Sequence, residues 1–170
     1  MTAPVLPDVL EPGLRVVFCG TAAGNVSAAR GCYYAHPQNK FWRALFEAGL
    51  TPRLLAPDAF RELPRYGVGL TDIAKSVSGM DKQLPRGALG RAACEDLEIR
   101  IRAAAPVVLA FTSLTAARRF LRRETAFGEQ SARLGSTRIW VLPSPSPAAN
   151  WNWSSTPWRA LAQFLGGYPN

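Results

Sequence analysis

The stretch "LRVVFCGTAAG", residues 14–24, decides the fold. Its first half is apolar apart from Arg15 and ends at Gly20. A short continuous apolar run of this kind predicts a strand buried on both faces, the pattern of a covered parallel sheet. Its second half is a turn of small residues bracketed by Gly20 and Gly24. Working outward, three further runs read as strands: "GVGLTDI" at 67–73, "VVLAFT" at 107–112 and "STRIWVLP" at 136–143. Helical patterns lie between them. Residues 39–50 place Phe41, Leu45 and Ala48 on one face, with Gly49 at the end. A short helical piece precedes the second strand. Residues 87–105 carry Leu89, Ala93, Leu97 and Ile101 at helical spacing, and Pro106 stops them. Ser113 caps a helix after the third strand, and Pro157 opens a last helix to about residue 165. The expectation is one α/β domain over residues 14–170, with a central four-stranded, mostly parallel sheet flanked by helices. Residues 1–13 hold three prolines and read as a flexible N-terminal arm.

A chain of 170 residues suffices for one domain with a real core. Twenty Lys and Arg against 12 Asp and Glu give a net charge of +8. Such a surface attracts polyanions, nucleic acid before an anionic membrane, although a merely basic protein would look the same. No apolar run approaches the roughly 20 residues of a membrane span. The first residues lack the pattern of a signal peptide, so a cytoplasmic protein is expected. The three cysteines, Cys19, Cys32 and Cys94, show no metal-type spacing, which predicts neither a disulfide nor a metal site.

In covered parallel sheets, ligands bind beyond the carboxyl ends of the strands. Three loops leave those ends with unusual residues: "GTAAG" at 20–24, "TDIAKS" at 71–76 and "PSPSPAANW" at 143–151. Their convergence predicts one site.

At these loops the chain resembles the mismatch-specific uracil-DNA glycosylases, relatives of the thymine-DNA glycosylases within the uracil-DNA glycosylase superfamily. "RVVFCGTAAG", "YAHPQNKFWRALFEAGLTP" and "GSTRIWVLPSPSP" carry the resemblance, of which the His-Pro-x-Asn-Lys-Phe-Trp run is the most specific. It covers about residues 14–165. It implies a DNA glycosylase that flips uracil out of DNA and hydrolyses its N-glycosidic bond, with no cofactor and no metal. The partner would be DNA containing uracil or a related damaged base, and the protein a monomer.

One departure matters. The family turn carries an Asn that positions the attacking water; here the matching residue is Ala22, followed by Ala23 in place of Pro. A methyl group can neither donate nor accept a hydrogen bond. Backbone N–H groups of Gly20, Thr21, Ala22, Ala23 and Gly24 could still serve the base, since they need no side chain. Asp72, leaving the second strand, is the candidate catalytic carboxylate; its alternative role is to cap the following turn. Asp81 is a weaker candidate that reads as a surface turn residue.

The resemblance makes Tyr34 the aromatic that stacks on the flipped base; otherwise it is a core ring. It makes His36 structural. Asn39 either caps a helix or holds the base. Ser144 stands at a base-contacting position where the family has Asn. Lys40 and Arg43 suit phosphate contacts, and Ser146, Ala148, Asn150 and Trp151 form the expected DNA-facing loop. Ala148 matches the family's wedge but is a poor plug, so Trp151 or Trp153 would intercalate instead, with at least one of the two packing on the last helix. A non-catalytic binder of flipped or damaged bases is the alternative that Ala22 favours. A nucleoside-processing enzyme on a similar sheet is a third reading, which the charge opposes.

Overall fold

In the computed structural model, which describes residues 3–167, the chain forms a five-stranded sheet in the order β2-β1-β3-β5-β4. The strands are β1 (Val16–Gly20), β2 (Val68–Asp72), β3 (Val108–Phe111), β4 (Gly128–Leu134) and β5 (Thr137–Val141). The first three and β5 are parallel; β4 is an antiparallel edge on β5. The four parallel strands are those expected from sequence, each trimmed by a residue or two. The fifth lies outside that expectation: "GEQSARL" is polar and half exposed, with no apolar run to mark it.

Each parallel strand feeds two cores, which explains the unbroken apolar runs. Val16 and Phe18 face one side with Leu70, Ala110, α2 (Phe41–Glu47) and α5 (Thr156–Leu165). Val17 and Cys19 face the other with Leu109, Phe111, α3 (Arg91–Ala104) and α4 (Leu114–Leu121). Along α3 the buried stripe is Cys94, Leu97, Ile101 and Ala104, so Cys94 takes the core position expected for its neighbour Ala93. Ser113 does cap α4, its hydroxyl accepting the Ala116 N–H at 3.1 Å. A short helix, α1 (Asn25–Arg30), follows the Gly24 turn, and a 3-10 helix over Pro57–Tyr66 leads into β2.

The order 2-1-3 makes the carboxyl ends of β1 and β3 a topological switch point, where the chain leaves in opposite directions and where folds of this kind place their ligands. Gly20 and Thr112 stand at that point.

The segment before β1 is not the free arm its prolines suggest. It has no regular structure, yet Leu6 is buried, and Val9 pairs with Leu70 through two backbone hydrogen bonds of 2.9 and 3.0 Å. Val5 N–H donates to the Lys75 carbonyl at 2.7 Å. The edge of β2 needs a partner for its backbone groups, and this segment supplies it. Gly69 permits the contact, because a Cβ there would lie 2.4 Å from the Val9 carbonyl oxygen and 2.6 Å from Leu14 Cδ1. Gly69→Ala should therefore cost about 1–3 kcal/mol or more by forcing the strap off β2. Urea unfolding measures it; an unchanged midpoint would mean that the strap is not clamped there.

Candidate active site

The three loops picked out in the sequence all leave the carboxyl edge of the sheet, and two of them are joined there. The Gly20 and Thr21 carbonyls accept the N–H groups of Ile73 and Ala74 at 3.0 and 2.8 Å, and the Ala23 carbonyl accepts that of Gly79 at 2.9 Å. These bonds fasten the 20–24 turn to the 71–79 loop. On the other side the Lys40 N–H donates to the Pro145 carbonyl at 2.9 Å, fastening the start of α2 to the proline-rich loop.

Asp72 ends β2 directly beside Gly20, its register partner. Strand alternation turns Thr71 toward α3 and Asp72 to the opposite face, beside Thr112 and Tyr34, as expected. The residue is only 5% exposed. One carboxylate oxygen reaches the space a side chain at position 20 would fill: a Cβ on Gly20 would lie 2.8 Å from Asp72 Oδ1, 3.6 Å from Thr112 Oγ1 and 3.7 Å from the Tyr34 hydroxyl. Three oxygens from three elements thus ring one point. No side chain among the described residues donates a hydrogen bond to the Asp72 carboxylate.

Burial therefore dominates its ionisation. Loss of hydration pushes Asp72 up to about 7; Lys75 and Arg100 pull down, Asp8 pushes up, and the Gly20 backbone stabilises the anion in part. Near neutral pH this carboxyl group titrates, which suits proton transfer and marks functional sites in general.

Tyr34 lies over the same point. Its ring stacks on Phe41 with centroids 3.9 Å apart and planes 15° from parallel. Its hydroxyl is 3.2 Å from Thr112 Oγ1, and Thr112 Oγ1 in turn donates to the Cys19 carbonyl at 3.3 Å. The chain of donors runs from Tyr34 through Thr112 to a carbonyl. Burial and the Asp72 charge hold the Tyr34 phenol well above its ordinary value, so it stays a neutral donor. Its backbone sits at φ 52°, in the left-handed region that a bulky residue enters only when its surroundings fix it. One face of the ring is covered by Phe41, and the hydroxyl points inward rather than to the surface.

The remaining residues divide clearly. Thr21 Oγ1 donates to Asp81 at 2.6 Å, and Asp81 itself is exposed. Ala22 is half-buried against the α3 side, and Ala23 is buried. Asn39 accepts the Phe41 N–H at 2.9 Å and so acts as a turn cap before α2. His36 is exposed, with Nδ1 accepting the Gln38 N–H at 3.1 Å. Ser144 and Ser146 accept N–H groups within their own loop, from Ser146 and Ala148. Lys40 bonds the Asn150 side chain and lies 5.6 Å from the Trp153 ring, whereas Arg43 projects into solvent. Ala148 is exposed on the 3-10 helix Pro147–Asn152. Trp153 packs 5.9 Å from Trp158 of α5, while Trp151 is 84% exposed. One tryptophan is structural and the other free, the division the sequence suggests.

Two parts of the site escape the sequence reading. Thr112 is buried at the end of β3, where the rule that singles out Asp72 would have found it. Asp8 lies in the strap, and nothing in "LPDVL" signals that it reaches the site.

Fold and site together define an α/β protein with a buried carboxylate at the switch point of its sheet, the place where folds of this kind hold their ligands. The chain belongs to the uracil DNA glycosylase superfamily, whose description it matches over residues 7–164. The solution structure of a candidate uracil DNA glycosylase from Methanosarcina acetivorans has the same fold, with a TM-score of 0.65. That likeness covers 95% of this chain and 96% of that one at 20% sequence identity.

The Asp72 environment has a consequence for stability. Unfolded, an aspartate titrates near about 3.9, so between about 4 and 7 the folded chain holds a proton the unfolded chain has lost. Stability must fall as pH rises across that window and level off above it. Asp72→Asn removes the effect, and should be more stable than the parent by a few kcal/mol near pH 8, with the gap closing toward pH 4. Urea unfolding across that range measures it; a gap independent of pH would contradict the buried titration.

Proposed function

We propose that this protein is a DNA glycosylase that removes uracil from DNA by hydrolysing its N-glycosidic bond, with Asp72 in the role the superfamily turn gives to Asn. The observation that carries the reading is a buried carboxylate at the switch point of the sheet, in a chain of this superfamily. The target base must leave the duplex to reach a carboxylate buried in this way. As uracil departs, the sugar becomes oxocarbenium-like and the base anionic. The Asp72 anion offsets the sugar's charge and orients a water toward the anomeric carbon. Backbone N–H groups of the 20–24 turn serve the developing negative charge on the base. Tyr34, fixed by Phe41 and Thr112, offers a rigid aromatic edge against which a flat base can rest.

The net charge of +8 favours the phosphate backbone, and binding should weaken steeply with salt. Of the expected phosphate contacts Arg43 is free to act, whereas Lys40 is engaged with Asn150 and serves chiefly to hold the loop. The exposed ring of Trp151, not the methyl of Ala148, is the side chain able to fill the gap left by a flipped base.

Ala22 favours a second reading, a protein that captures extruded bases without cleaving them. Single-turnover formation of abasic sites in a uracil·guanine duplex separates the two. The parent should cleave, and Asp72→Asn should cleave slower by about 10² or more while binding DNA as before. Full activity in Asp72→Asn would remove Asp72 from the chemistry. No cleavage by excess parent protein would leave the binding role.

A further inference from the structure

The strap before β1 brings a second carboxylate beside the first. Asp8 Oδ1 accepts the Thr71 hydroxyl at 2.7 Å and pairs with the Lys75 ammonium at 2.8 Å; Asp8 Oδ2 pairs with Arg100 at 3.0 Å. The side chains of Asp8, Lys75 and Arg100 are 21%, 17% and 18% exposed, so solvent screens these pairs little. Both cations have further partners. Lys75 Nζ also donates to the Tyr33 hydroxyl at 3.1 Å, and that hydroxyl donates to the Pro7 carbonyl at 2.9 Å. Arg100 Nε donates to Asp96 at 3.0 Å, Nη1 also bonds Thr71 Oγ1, and Nη2 reaches the Asp72 carbonyl oxygen at 3.2 Å.

The arrangement is odd in one respect. Lys75 is three residues from Asp72 along the chain, and Arg100 touches the Asp72 backbone, yet neither cation bonds the Asp72 carboxylate. Both are held by a different acid, delivered by a segment that otherwise only edges the sheet. A buried carboxylate with two cations this close would ordinarily be drawn into an ion pair. An acid locked into such a pair is a poor base and is not free to meet a developing sugar cation.

We propose that Asp8 is a positioning residue for the candidate active site: by taking the Lys75 ammonium and the Arg100 guanidinium on its own two oxygens, it keeps both cations off Asp72 and leaves that carboxylate without an ion-pair partner beside Gly20. The strap is thus part of the site, which would otherwise be incomplete. The inference rests on the catalytic reading only for its purpose, since the charge arrangement itself is a property of the folded protein. The titratable and charged groups near enough to act on Asp72 are Lys75 and Arg100, which favour its anion, and Asp8, Cys19, Tyr33 and Tyr34, whose negative forms would oppose it.

The test is a titration of Asp72 by carboxyl-carbon NMR, which needs no activity. In Asp8→Asn the two cations lose their partner and turn to Asp72, whose midpoint should fall by about 1–3 pH units. Lys75→Met, with Asp8 intact, should move it the other way. Double substitution should bring the midpoint back toward the parent. A merely structural strap would lower stability in Asp8→Asn without shifting Asp72, and that result would overturn the proposal. An unchanged midpoint in Lys75→Met would overturn it as well, even if Asp8→Asn fails to fold. The glycosylase reading stands or falls separately. If the midpoints shift as stated while Asp72→Asn excises uracil at full rate, Asp8 shields Asp72 but Asp72 is not the catalytic group.

Discussion

A carboxylate can be buried at the end of β2 only because position 20 has no side chain. The Asp72 oxygen occupies the volume a Cβ would claim, 2.8 Å away. That single steric allowance ties β1 to the site: the strand must end in glycine, and the turn beyond it must bend away without covering the acid. The bend is held by the carbonyls of Gly20 and Thr21 on the next loop. The steric allowance has an electrostatic result. A carboxylate without hydration and without an ion-pair partner sits near neutrality, and the surroundings are arranged to keep it there.

The surrounding groups divide the work. Thr112 occupies the Tyr34 hydroxyl, and Asp8 occupies Lys75 and Arg100. Both remove competing partners from Asp72 rather than adding new ones. Loss of the turn Asn at Ala22 is consistent with this shift in chemistry, since an unpaired carboxylate one strand away can replace an amide that only orients water. The exposed Trp151 lies outside this inner shell, and in the proposed reaction it and the basic surface would act on the duplex rather than on the bond that breaks.

Much of this was legible in the sequence. The two-sided burial of β1, β3 and β5 writes continuous apolar runs, so the parallel sheet could be read directly. The carboxyl-edge rule then located the 20–24 and 71–76 loops, and alternation pointed Asp72 inward. Three things were hidden. β4 is a polar edge strand whose inward side is Gly128, Gln130, Ala132 and Leu134, so its alternation carries little apolar signal. The strap is proline-rich, which reads as freedom, but prolines suit a segment that lies along a sheet edge. Asp8 reaches the site through tertiary contacts more than 60 residues away, the separation of its Thr71 hydrogen bond being 63. Local pattern carries no trace of such a contact.

The proposed catalysis depends on Asp72 acting as an anion that titrates at the buried end of β2. The most direct measurement is the single-turnover rate of uracil excision by the unmodified protein as a function of pH. The rate should rise about tenfold per pH unit up to about pH 7 and then level off, because only the ionised carboxylate acts. A rate that is flat through neutrality, or that falls as Asp72 ionises, would contradict that role for the carboxylate.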